Sequence, residues 1–302
     1  MNRESIKESI KSKTFFRDTI LYIFMKMGFY SNYTRGLISM DRTYFKLKKR
    51  YKRKIENFKT EEKEQKESNF IWFCWLQGLE NAPELVKVCY KSVERWYPEN
   101  NIVLITKENF KDYVDIPEYI IRKWEDGIIS NAHFSDILRL ALLIRHGGLW
   151  IDATVFCTGN SWNWLKENRL FVYRNGWLEM ENINMGNWLI YSKSNDKILI
   201  ATLKLLYDYW KNKNYASNYF IFHMFFRMAT EKYLEDWNRV PYYSQIDNHL
   251  LANELMNDFE EKRYNQIKEL TNFHKLTYKL QTEKKKNKTT FYDKIIEDKE
   301  EE

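Results

Sequence analysis

Cysteine is scarce in this chain: Cys74, Cys89 and Cys157 are its only three, and no two of them form a Cys-x-x-Cys pair. An odd, scattered trio excludes a disulfide framework and fits reduced thiols in a cytosolic protein. Long apolar runs are missing too. No stretch of 18 or more apolar residues occurs, so no transmembrane helix is expected, and the first residues do not read as a signal peptide with a cleavage site. There is no internal repeat. Most of the chain also lacks a basic surplus. Residues 1–60 carry 16 Lys and Arg against 5 Asp and Glu, whereas the rest carries 33 against 37. That distribution argues against a nucleic-acid-binding core and for a basic segment joined to a mildly acidic body.

What is present is apolar and aromatic. Hydrophobic residues make up 44% of the 302 and aromatics 17%, which excludes a disordered chain and allows one large domain or two smaller ones. The 11 Trp, 21 Tyr and 19 Phe fill a core or stack on flat ligands such as sugars and bases. Residues 14–30 mix Phe, Tyr, Ile and Met with few charges, and "RTYFKLKKRYKRKIENFK" follows as a basic block with interleaved aromatics. Together they are expected to form helices that lie on an anionic membrane surface, apolar side chains in the lipid boundary and Lys/Arg at the headgroups. A helical pair packed on the body with a solvated basic face is the plainer alternative. The charged stretch at 61–68 reads as a linker.

The body begins with "NFIWFCWLQG", a buried strand over 70–76 ended by Gly78. A helix follows with Leu85, Val88, Cys89, Val93 and Trp96 on one face, stopped by Pro98, and "NNIVLIT" is a second buried strand. Strand, helix, strand in this order predicts a parallel sheet. After Pro117 a short helix is expected. Ser130 or Asn131 then caps a helix over 132–146 that Gly147 and Gly148 end, and "LWIDATVF" is a third strand. Residues 197–228 read as helical, and "PYYSQIDNHLLANEL" as a loop before another helix. The tail from 281 is polar and charged and is expected to fray.

"SDILRLALLIRHGGLWIDATVF", residues 135–156, places Asp136, Arg139 and Asp152 in apolar surroundings. Ionised groups are rarely put there unless paired or bound to something. Asp136 and Arg139 are three apart and so adjacent on one helix face. Asp152 falls near the end of a strand, where open α/β sheets bind ligands.

This stretch resembles the pattern Ser-Asp-x-x-Arg, an apolar helix, then Gly-Gly-x-Tyr/Trp-x-Asp-x-Asp of sugar transferases with the GT-A fold, above all their capsular-polysaccharide-synthesis branch. "IWFCWLQG" and "PELVKVCYKSVERWYPENNIVLIT" resemble the first strand, helix and second strand of that group. The likeness is close over 69–160 and looser to about 255. It implies a GT-A-like, Rossmann-type α/β domain over 69–280, with a mostly parallel sheet flanked by helices, between a basic helical segment at 1–68 and a charged tail at 281–302. It implies that Trp75 stacks on the uracil of a nucleotide sugar, that Gln77 joins it in the donor site, and that Asp136 and Arg139 hold the hexose and the diphosphate. Asp152 matches the first Asp of Asp-x-Asp. The second Asp is replaced by Thr154, whose hydroxyl is a poorer cation ligand than a carboxylate. Asp152 and Arg139 are thus the expected catalytic pair. Mn²⁺ or Mg²⁺ is the expected cofactor, its ligands drawn from Asp152, Thr154, Asp247 and His249. The implied activity moves a hexose, galactose or glucose, from a UDP-sugar to a lipid-linked oligosaccharide of a capsule or surface polysaccharide, with retention of configuration. The implied place is the inner face of the cell membrane, with no nucleic-acid partner. The alternatives are another nucleotide sugar as donor, or a non-catalytic basic adaptor that binds membrane or RNA. His223 reads as a satisfied core histidine.

Overall fold

The computed structural model describes residues 3–60, 63–175, 182–279 and 289–297. Three helices come first: α1 (Arg3–Lys11), α2 (Phe15–Lys26) and α3 (Asn32–Glu56). The Ser31 hydroxyl caps α3 by accepting from the Thr34 amide at 3.1 Å. On α3, Tyr44, Leu47, Tyr51 and Ile55 are buried. Their spacing of three and four residues draws one apolar stripe, which joins the main core, while Arg42, Lys46, Lys49, Arg50, Lys52 and Arg53 face solvent. The second half of the basic segment is therefore packed on the body. The stretch at 61–68, where described, is tied down as well: the Lys66 amide donates to Ser194 Oγ and the Ser194 amide to the Lys66 carbonyl.

The apolar runs make the sheet. β1 (Phe70–Cys74), β2 (Asn101–Ile105) and β3 (Gly148–Ile151) are mutually parallel, with β1 in the middle. α4 (Glu84–Trp96) crosses from β1 to β2. The short α5 (Phe110–Tyr113), α6 (Glu118–Glu125) and the longer α7 (Asn131–His146) lead to β3. β4 (Val155–Cys157) and α8 (Trp162–Lys166) precede β5 (Leu170–Arg174) and β6 (Met185–Ser192). The five-stranded order is β2-β1-β3-β6-β5. β6 is antiparallel to both its neighbours, so four strands point one way. This is the expected α/β architecture, a mostly parallel sheet flanked by helices.

Both faces of the sheet are covered, which explains the uninterrupted apolar strands. Trp72, Trp150 and Ile190 lie in the cluster shared with α3, α7, α9 (Lys197–Asn212) and α10 (Ile221–Lys232). Ile71, Phe73, Leu149 and Leu189 lie in the cluster shared with α4. The chain finishes with α11 (Leu234–Asn238), α12 (Leu250–Glu254), α13 (Glu261–Leu270), β7 (Phe273–Lys275) and α14 (Phe291–Glu297).

Four expectations need correction. "LWIDATVF" is not one strand. It breaks in a turn at Asp152–Val155, where the Val155 amide donates to the Asp152 carbonyl at 2.9 Å, and β4 leaves to pair antiparallel with β7 in a second sheet. The helical stretch from 197 is two helices, separated at 213–220. Trp96 is 37% exposed, while Tyr97 is fully buried. Tyr97 departs from helical geometry just before Pro98 (φ −129°, ψ 48°), and its ring stacks on Phe273 at 6.4 Å. Finally, α14 does not fray: Phe291 and Ile295, one helical turn apart, are buried against α4 and α12–α13. Residues 280–288 and 298–302 of the expected tail lie outside the described residues.

Candidate active site

Each charged group at the site is placed by a local feature. α7 starts at Ser130, whose hydroxyl accepts from the His133 amide at 3.3 Å, and ends at Gly147 with φ +74°. Gly148 follows with φ +98°, and a Cβ there would sit 2.4 Å from the Phe70 carbonyl, so only glycine lets β3 enter beside β1 at this point. Asp152 stands one residue past the end of β3, its amide bonded to the Trp188 carbonyl at 2.8 Å. The break after Asp152 sends β4 alongside β7, where Val155 pairs with Lys275. That pairing delivers Lys275 to the turn.

The resulting cluster is a chain of alternating charges. Arg139 Nη2 lies 3.2 Å from Asp136 Oδ1, and Arg139 Nη1 lies 3.3 Å from Asp152 Oδ1. Lys275 Nζ lies 2.9 Å from Asp152 Oδ2 and donates to Thr154 Oγ1 at 2.7 Å. Trp150 Nε1 donates to Asp152 Oδ1 at 2.9 Å, and Asn187 Nδ2 to Asp136 Oδ1 at 2.9 Å. The Arg139 guanidinium also donates to the Asn187 carbonyl and to the Ser135 hydroxyl and carbonyl, and it lies over the Trp150 ring, 4.8 Å from its centroid. Its side chain is only 5% exposed, whereas that of Lys275 is 22% exposed.

This environment separates the two carboxylates. Burial pushes Asp136 up to about 7 against the pull of Arg139 and Asn187, with the Asp152 charge adding to the rise. Burial acts the same way on Asp152. There Lys275, Arg139 and the Trp150 hydrogen bond outweigh it, and the group stays below the ordinary carboxylate value. His223 on α10 is pushed down to about 3 by burial and by the Arg139 charge, and its Nδ1 has no hydrogen-bond partner among the described residues. It is a core histidine, as expected, but not a satisfied one.

Of the expected donor residues, Asp136, Arg139 and Asp152 do come together. Trp75 lies just past the end of β1, half-buried, with its ring edge-on to Tyr278 at 5.9 Å and its Nε1 without a partner among the described residues. Gln77 is exposed, two residues further on. The resemblance implies a divalent cation, but the residues here do not form a fitting ligand set. Both oxygens of Asp152 are taken by cations, and the Thr154 hydroxyl accepts from Lys275. Asp247 is exposed. His249 Nδ1 is bonded to the Gln245 carbonyl at 2.8 Å, and the ring lies edge-on to Trp188. Burial and the Lys275 charge lower its pKa. Among the described residues no three His, Cys, Asp or Glu side chains gather into a group able to hold a metal ion. Lys275 and Asn187 are not marked by the sequence, and Trp150, which fills the Tyr/Trp position of the motif, carries no stated role there.

Residues 25–295 match the family model described as "Capsular polysaccharide synthesis protein". The chain belongs to this family. Over 95 residues it is 33% identical to the O-glycosyltransferase braB of Annulohypoxylon truncatum, a stretch covering 28% of this chain and 23% of that protein. The chain thus spans about a quarter of that relative's length. Among solved structures it is similar to the PaToxG glycosyltransferase, with a TM-score of 0.40 and 17% identity, covering 67% of this chain and 84% of that one. It is also similar to a transferase mutant, with a TM-score of 0.34 and 14% identity, covering 60% and 91%. No helix among the described residues is long and apolar enough to cross a membrane.

Proposed function

We propose that this member of the capsular polysaccharide synthesis family is a glycosyltransferase that moves a hexose, galactose or glucose, from a UDP-sugar to a lipid-linked oligosaccharide, with retention of configuration. One observation carries the reading. β1 pairs with β2 on one side and β3 on the other, so the strand order reverses between β1 and β3. Trp75 and Asp152 stand just past the carboxyl ends of those two strands. That crevice is where open α/β sheets take nucleotides. An aromatic ring there suits a base, a cation suits a diphosphate, and carboxylates and an amide suit sugar hydroxyls.

The acceptor side of the reading rests on α2. Phe16, Ile20, Ile23 and Phe24 fall on one face of that helix and all are exposed, while Leu21 is buried. An apolar stripe on a strongly basic N-terminal segment suits the anionic inner face of a cell membrane, where a lipid-linked acceptor would lie.

The deciding experiment offers the purified chain UDP-glucose, UDP-galactose and other nucleotide sugars and measures UDP release, with and without a polyprenyl-linked oligosaccharide. Release from one donor, increased by the acceptor, is the expected result. A chain inert toward every donor is what a non-catalytic adaptor would give, and it would overturn the proposal.

A further inference from the structure

We infer that Lys275 stands where a divalent cation would, and that this chain binds the donor diphosphate without a metal. The inference rests on the glycosyltransferase reading and deepens it at the same site. Asp152 and Thr154 occupy the two ligand positions of an Asp-x-Asp motif, and a single ammonium bridges them: 2.9 Å to Asp152 Oδ2 and 2.7 Å to Thr154 Oγ1. The replacement of the second carboxylate by a hydroxyl makes sense in these terms. A lysine needs one counter-charge and one further acceptor, whereas a divalent ion calls for several oxygen ligands and more negative charge.

The charge count points the same way. Asp152 is one anion between two cations, and with Asp136 beyond Arg139 the four-member chain carries no surplus of negative charge: it sums to zero with both carboxylates ionised and to +1 when Asp136 is protonated. A divalent ion entering here would have to expel the Lys275 ammonium, and the site would offer it one carboxylate and a neutral hydroxyl. A diphosphate meets no such obstacle. Of the two cations, Arg139 is buried, with its donors turned to Asp136, Asp152, Ser135 and Asn187. Lys275 is the more accessible, and among the described residues two of its three N–H donors are taken. The third remains for a phosphate oxygen. As the sugar C1–O bond breaks, its electron pair stays on the diphosphate oxygen beside Lys275. The acceptor oxygen bonds to C1, and the acceptor's hydroxyl proton passes to solvent. Lys275 keeps its proton throughout and offsets the charge that grows on the leaving group.

The test uses the full chain, stripped of metal. UDP binding is measured by calorimetry in EDTA and in Mn²⁺, Mn²⁺ uptake by electron paramagnetic resonance with and without UDP, and UDP release in both conditions. The expected result is equal UDP affinity and turnover in EDTA, with no Mn²⁺ bound at the site. Lys275→Met is expected to weaken UDP binding by about tenfold or more, with Lys275→Arg retaining part of it. Wild-type protein that binds UDP and turns over only with Mn²⁺ would overturn the inference while leaving the glycosyltransferase reading intact. A failure to bind UDP or release it under any condition would overturn both. The wild-type comparison does not depend on whether Lys275→Met folds.

Discussion

Lys275 and Asp152 are 123 residues apart in the chain, yet their side chains meet at 2.9 Å. The contact exists because β4 turns away from the main sheet immediately after Asp152 and takes β7 as its partner. Asp152 thereby becomes the shared counter-ion of a buried arginine and a more accessible lysine, and each cation holds one of its oxygens.

Asp152→Asn removes that shared charge and keeps the shape. The Trp150 hydrogen bond survives, but Arg139 and Lys275 lose their common anion. Transfer is expected to fall by about 10²-fold or more, since preorganised charges at a reacting centre carry effects of that size. Stability is expected to drop by about 1.5–3 kcal/mol, the range for hydrogen bonds to charged groups. Sugar-transfer rates and urea unfolding check the two parts separately. An Asp152→Asn protein with wild-type turnover would remove Asp152 from the chemistry.

Asp136 gives the pH dependence a definite sign. Its pKa in the folded chain is about 7, against an ordinary value of 3.8. The folded state therefore holds a proton that the unfolded chain has already lost. This contribution is fully present below about pH 4 and is lost as the pH rises to about 7, with a slope of up to about 1.4 kcal/mol per pH unit for one proton. Buried His223 and His274, pushed down to about 3 and about 4, act in the opposite direction, gaining stability as the pH rises. The readout is therefore the difference between wild type and Asp136→Asn. Urea unfolding from pH 4 to 8 should show wild type losing ground to the variant as pH rises. Parallel curves would mean that Asp136 titrates normally.

Trp75 tests the base-binding end of the crevice. Its ring is half-buried and touches Tyr278 only edge-on. Trp75→Ala is expected to weaken UDP binding roughly 5- to 150-fold, the equivalent of about 1–3 kcal/mol for one base stacked on an aromatic. Calorimetry with UDP and with inorganic diphosphate separates base from phosphate recognition: only UDP should suffer. Equal losses for both ligands would place the base elsewhere.

Local signals made much of this legible. The Ser130 cap and the Gly147 stop are chain-local, so α7 was readable almost to the residue. The Asp136–Arg139 pair follows from helical spacing alone. What the sequence hid was tertiary. Nothing in "IDATVF" says that Val155 abandons the sheet, because an apolar strand looks the same whichever partner it finds. Lys275 could not be assigned without that pairing. Tyr97 and Trp96 are adjacent aromatics, and only the backbone turn before Pro98 decides which one enters the core. On α3 the buried stripe of Tyr44, Leu47, Tyr51 and Ile55 is present in the spacing, while the basic residues between them suit a water-facing or a headgroup-facing surface equally well.

The exposed stripe of α2 leads to the last prediction. Phe16 is 82% exposed, Ile20 53%, Ile23 50% and Phe24 43%. Full burial of a large apolar side chain is worth roughly 1.5–3 kcal/mol, so an uncovered face of four is costly in water and favourable at a lipid boundary. Each Lys or Arg near an anionic surface adds about 1 kcal/mol, an amount that salt reduces. The full chain should float with phosphatidylserine-containing liposomes at low salt and less well at high salt. Replacing Phe16, Ile20, Ile23 and Phe24 together by Ser should abolish flotation, while thermal stability changes little because these side chains are already exposed. UDP release with a water-soluble acceptor should also be unchanged, since these four side chains face solvent. Sedimentation of both proteins distinguishes the remaining occupant: if the stripe joins two copies of the chain, the wild type is a dimer, the variant a monomer, and flotation is the same for both. That outcome would take the stripe away from the membrane.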